Sequence, residues 1–84
     1  MPRHYRVIRR YGSGPHIEEI IDRLTICANP LDSIMRADQL DAVGEVVIRQ
    51  HRLEAVDVDD AGRILRTSTV RLLTPKWPPC PLGN

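Results

Sequence analysis

Apolar and polar positions alternate at the start of the chain. Tyr5, Val7 and Tyr11 interleave with His4, Arg6, Ile8, Arg9 and Arg10, and a period near two predicts a strand over 3–11. Gly12-Ser13-Gly14-Pro15 then reads as a turn that doubles as a helix start. Ser13 or Gly14 would cap, Pro15 suits a first helical turn, and Glu18 and Glu19 would sit at the positive end of the dipole. Ile17, Ile20, Ile21, Leu24, Cys27 and Ala28 follow at spacings of three and four. With Glu18, Glu19, Asp22, Arg23 and Thr25 between them, this predicts an amphipathic helix over 15–28, with Ile26 off the stripe. Asn29-Pro30 would stop it, because proline cannot continue a helix and disfavours helical geometry in the residue before it.

Residues 37–43 fit two helical turns with Leu40 and Val43 inward and Gly44 as terminator, against a plain loop for 31–44. From Glu45 the chain becomes β-branched and aliphatic in two runs, about 45–58 and 63–74, on either side of Asp59-Asp60-Ala61-Gly62. This is the pattern of a hairpin. Placing Asp59 opposite Arg63 sets the register: Val58 with Ile64, Val56 with Arg66, Leu53 with Thr69 and Arg49 with Leu73. Val46, Ile48, Val56 and Val58 share one parity, whereas Leu53 and Ala55 share the other. A bulge or twist near Gln50-His51-Arg52 would reconcile them, or the far face of the hairpin meets something else.

The turn invites a metal reading. Asp57, Asp59 and Gly62 match positions 1, 3 and 6 of a calcium-binding EF-hand loop, and Ile64 suits position 8. Position 5 is Ala61, however, and position 12, which needs a bidentate Glu, is Ser68. A type I turn with a left-handed Gly62 accounts for the same residues. Nor do His4, His16 and His51 have the close spacing of a ligand pair. No metal and no cofactor is expected, and calcium or zinc should leave the melting temperature unchanged.

Eighty-four residues make one domain, near the lower limit for a core without staples. Without Phe, and with one Trp and two Tyr, that core must be aliphatic. The expected fold is α+β, in the order β-α-(short α)-β-β. One main helix packs its Ile17, Ile20, Ile21 and Leu24 stripe on a three-stranded antiparallel or mixed sheet. The domain covers 1–74, and 75–84 is an extended Pro-rich tail, since four prolines exclude a regular helix or central strand. Trp77 either covers an apolar edge of the core or anchors a docking peptide. No apolar run approaches the ~18 residues of a membrane span, and the basic N-terminus lacks the apolar stretch of a signal peptide. A cytoplasmic protein with Cys27 and Cys80 as free thiols is expected.

Net charge is +1 but strongly segregated: +4 over residues 1–12, −5 over 13–45 and +2 thereafter. Eleven of the twelve bases are arginine, a side chain suited to bidentate recognition. Arg3, Arg6, Arg9, Arg10, Arg49, Arg52, Arg66 and Arg71 all fall on predicted strands and would form one basic sheet surface. The catalytic inventory is thin, with no nucleophile elbow, P-loop, dinucleotide turn or CxxC, and Cys27 lies on an apolar stripe. The first expectation is therefore a non-enzymatic interaction module that binds a protein or ribonucleoprotein complex through that surface. Compact, motif-free chains of this size are common among phage and mobile-element inhibitors, anti-CRISPR proteins included, an analogy of class only. The alternative is a nucleic-acid-binding regulator using the same arginines, although scarce aromatics leave no stacking platform. A small ribonuclease-type toxin built on His51-Arg52 is the second alternative. A homodimer stays open, and no membrane partner is expected.

Overall fold

The computed structural model describes residues 3–75. Its elements are β1 (Arg3–Ser13), β2 (His16–Ile21), a 3-10 turn (Arg23–Thr25), α1 (Pro30–Val43), β3 (Ile48–Val58) and β4 (Ile64–Leu73). The class is α+β: one main helix lies on an antiparallel sheet of four strands, ordered β2-β1-β3-β4.

The helix lies at 30–43 and not at 15–28, and the reason is local. Ser13 pairs with His16 across the two-residue loop Gly14-Pro15, with Gly14 at φ 57°, so the segment that could cap a helix makes a hairpin instead. Beyond it, β-branched Ile17, Ile20 and Ile21 favour the strand, and β2 pairs with β1 from Ser13 back to Ile8. Ile21 and Leu24, placed by periodicity in the core, are 58% and 59% exposed. Asn29-Pro30 starts a helix. The Asn29 side chain accepts from the Asp32 amide at 2.9 Å and its amide group donates to the Asp32 carboxylate at 2.9 Å, while Pro30 occupies the first turn. The far end agrees with the sequence pattern: Gly44 caps the helix by donating to Asp41 O.

Beyond β2, residues 22–27 complete the edge of β1. Tyr5 and Cys27 exchange backbone hydrogen bonds of 2.8 and 2.9 Å, and the buried Thr25 hydroxyl accepts from the Val7 amide at 3.2 Å. The hydroxyl also donates to Asp22 O, which ties the 3-10 turn to the sheet. Every backbone donor on this stretch of β1 thus finds an acceptor without a regular strand beside it.

The hairpin of β3 and β4 forms around the expected turn. Asp59 N–H donates to Arg63 O, Gly62 N–H donates to Asp59 O, and Gly62 has φ 84°. The Asp59 carboxylate accepts from the Arg63 and Ala61 amides, and these bonds, that of Arg63 foremost, hold it below the usual carboxylate range. Val58 faces Ile64 as expected, but the register then slips twice. Leu65 and Val70 are extra residues on β4, so Val56 meets Thr67 and Leu53 meets Arg71. A third bulge on β3 makes Arg49 the extra residue between Gln50, opposite Arg10, and Ile48, opposite Tyr11. It turns Ile48 to the side of Tyr11, in phase with Leu53, whereas Val56 and Val58 stay on the opposite face.

On the helix side Val7, Ala37 and Leu53 form the core, with Tyr5, Ile34 and Leu73 packed round it. Ile8 and Val56, of opposite parity, are also fully buried. The two central strands, β1 and β3, are therefore covered on both faces. Trp77, Cys80 and the Pro-rich segment beyond Pro75 lie outside the described residues.

Candidate interaction surface

The sheet distributes the eight strand arginines between two faces and an edge. On the face away from α1, Arg6 donates to Glu54 at 2.9 Å, and Arg52 donates to Glu54 at 2.9 Å. Arg52 also makes a bidentate pair with Glu19 of β2, at 2.5 and 3.1 Å. β2 and β3 are not neighbours, so this pair crosses β1 at Ile8, which stands opposite both Ile21 and Arg52. The bridge roofs Ile8. Arg10 adds a contact to Glu19 and a hydrogen bond to Gln50. Glu19 is held below the ordinary carboxylate range, chiefly by its hydrogen bond from Arg52, and the Arg52 guanidinium is pushed up by Glu19 first and Glu54 second. Arg3 pairs loosely with Asp57 at 3.4 Å.

Arg9, one parity away, points to the helix side. Its guanidinium donates to Asp41 at 2.8 Å and lies 3.8 Å from Asp22. The other Asp41 oxygen is 2.7 Å from His51 Nε2, and Asp38 lies 4.0 Å from His51 Nδ1. All four of Arg9, Asp38, Asp41 and His51 are buried. Alternation along β3 thus separates His51, inside, from Arg52, on the opposite face. The exposed His/Arg pair on which a ribonuclease reading rests is not formed. Sequence spacing does not reveal the inner cluster, because it joins residues ten apart across a helix end and a bulged strand. The signal available was charge: an acidic 13–45 segment beside arginine-bearing strands.

Three of the eight arginines, Arg49, Arg66 and Arg71, have no acidic partner among the described residues. Arg49 and Arg10 line an open hollow of about 430 Å³ at the Gly12–Gly14 turn. Arg66 and Arg71 lie on β4. Among the described residues that strand is an edge, pairing with β3 alone, and every residue from Ile64 to Leu72 is exposed. Its ten residues contain neither an acid, a lysine nor a proline. Natural edge strands are usually shortened, charged with lysine, broken by proline or covered, because the free amides and carbonyls accept another strand. Among the described residues β4's two bulges are its one such device.

Comparison with protein-family models, curated proteins and solved structures returns no match.

Proposed function

We propose that the protein is a non-enzymatic interaction module that takes an extended, acidic segment of a partner protein onto β4 as a fifth strand. The observation that carries this reading is the edge itself: long, exposed, and bearing Arg66 and Arg71 with no acid on the strand to answer them. Main-chain pairing would supply affinity, and the side chains alternating along the edge would supply selectivity. Leu65, Val70 and Leu72, all at least 49% exposed, give the added strand apolar neighbours. Arginine beside them suits a carboxylate-bearing strand, by bidentate contact at an interface rim. A second copy of the chain would bring two more arginines and no acid, so charge favours a different protein.

The inhibitor reading of the sequence belongs to this proposal, since blocking a host complex needs only a tight surface. Titrating 15N-labelled full-length protein with a peptide of alternating Glu and Val tests it, with a Lys/Val peptide as control. Shifts confined to β4 and the facing residues of β3, lost in R66E/R71E, are expected. Shifts centred on Arg10 and Arg49, or equal response to both peptides, would overturn the edge. Gel shifts with mixed DNA and RNA at ~150 mM salt test the competing reading: binding that weakens steeply with salt would assign the arginines to phosphates.

A further inference from the structure

The inner face of α1 is unusual for a helix in so small a domain. Its buried residues are Ser33, Ala37, Asp38 and Asp41, whereas Leu31, Met35 and Val43 are exposed. A core this modest is normally supplemented by a staple, such as a disulfide or a structural metal. Asp38 and Asp41, at i and i+3, present their carboxylates on one side of the helix toward His51 of β3. One donor atom from each lies within 4.8 Å of the others.

Against the expectation from sequence spacing that no metal is bound and zinc leaves the melting temperature unchanged, we propose that Asp38, Asp41 and His51 hold one divalent ion of the zinc type. Three observations point there. First, Asp38 is only 8% exposed, and its Oδ1, 4.0 Å from His51 Nδ1, has no hydrogen-bond partner among the described residues. A buried carboxylate oxygen left without a donor is costly, and a cation would satisfy it. Second, the charges do not balance. Metal binding requires a neutral imidazole. With that imidazole neutral, Arg9 answers Asp41 and, more distantly, Asp22, while Asp38 has no cation beside it among the described residues, so a divalent ion would offset the excess of acid. Third, the outer contacts are in place. Arg9 takes Asp41 Oδ1 at 2.8 Å and leaves Oδ2 directed at His51, as ligating carboxylates are commonly held by a hydrogen bond from behind.

Asp41 needs little movement, whereas Asp38, whose Oδ1 stands 4.0 Å from His51 Nδ1, must swing its carboxylate toward the Nε2 side of the ring to join it. His51 Nε2 and Asp41 Oδ2 stand 2.7 Å apart. Ligand atoms about 2.0–2.1 Å from a tetrahedral zinc are roughly 3.3 Å apart, so the ion would replace that hydrogen bond after a shift of about half an ångström. The mixed nitrogen and oxygen set suits zinc or cobalt better than calcium, which takes six or more oxygens.

The test uses the full chain stripped with a chelator and titrated with Co2+, then Zn2+. One equivalent should produce visible d–d absorption that zinc displaces, with a saturable rise in melting temperature. Asp38→Asn, which removes no hydrogen bond present in the fold, should weaken binding by more than the roughly 10–100-fold that loss of an outer contact costs. A C27S/C80S background should leave binding intact. Zinc should also move the His51 ring nitrogen resonances in the unmutated protein, a readout that survives if a variant fails to fold. Absence of saturable binding, unchanged affinity in Asp38→Asn, or an unmoved His51 ring would each overturn the proposal.

Discussion

Gly12 and Gly62 both have positive φ, at 98° and 84°, but a methyl group would meet different surroundings. At Gly62 there is open space, so alanine would suffer the left-handed backbone alone, about 1–2 kcal/mol. At Gly12 the added carbon would fall on the carbonyl oxygen of His16, across the β1–β2 loop, and backbone cannot step aside cheaply. Urea denaturation should show Gly12→Ala losing clearly more than Gly62→Ala, and equal losses would contradict the loop geometry. Glu19 gives a second residue-scale expectation. Its folded-state pKa lies below the ordinary value because Arg52 binds its charged form. The unfolded chain therefore takes up the proton first as pH falls. The stabilisation is present above the ordinary carboxylate pKa and is lost on acidification through the lower folded value. Glu19→Gln should flatten that acid limb by lowering stability above it, modestly because the pair is partly exposed, and should change little below it.

At the scale of elements, apolar spacing misplaces the helix and charge and cap chemistry locate it. Spacings of three and four across 17–28 fit a helical stripe, yet Ile17-Glu18-Glu19-Ile20-Ile21 serves equally as an edge strand, where exposure of isoleucine is tolerated. The dipeptide Asn29-Pro30 carries the missing information in reverse. Asn is a good N-cap and Pro a good first residue, so the pair opens a helix as readily as it closes one. The opposite difficulty left α1 only half legible, as two turns over 37–43 against a loop, because Ser33, Asp38 and Asp41 on its inner side leave almost no apolar stripe to detect. The β3–β4 hairpin was legible because its turn chemistry is local. Its bulges at Leu65, Val70 and Arg49 were not, since they answer to packing on both faces. Leu24→Asp should therefore change stability by no more than about 0.5 kcal/mol, as an exposed substitution does. Ala37→Asp, in a fully buried site against Val7 and Leu53, should unfold the domain. Thermal melts of the two variants distinguish the sequence-periodic helix from α1 directly.

In the whole molecule the segregated charge finds its use internally. The arginines of β1 and β3 meet acids of the 13–45 segment through Arg9, Arg10 and Arg52, and they roof one face and bind the helix to the other. That leaves β4 as the uncommitted element, bonded on one side only among the described residues. In an antiparallel edge strand about half of the amides point away from the neighbour, toward solvent. Hydrogen exchange on the free protein should therefore sort the strands. Amides of β1 and β3, paired on both sides along much of their length, should exchange only by global opening. The outward amides of β4 should exchange fast, in alternation broken at Leu65 and Val70, where the bulges interrupt the ladder. Adding the Glu/Val peptide should slow that fast set and leave the outward amides of β2 unchanged, because β2 carries Glu18 and Glu19 and would repel an acidic strand. Slow exchange of the β4 set in the peptide-free protein, with sedimentation at twice the monomer mass, would mean instead that the edge is already paired with a second copy.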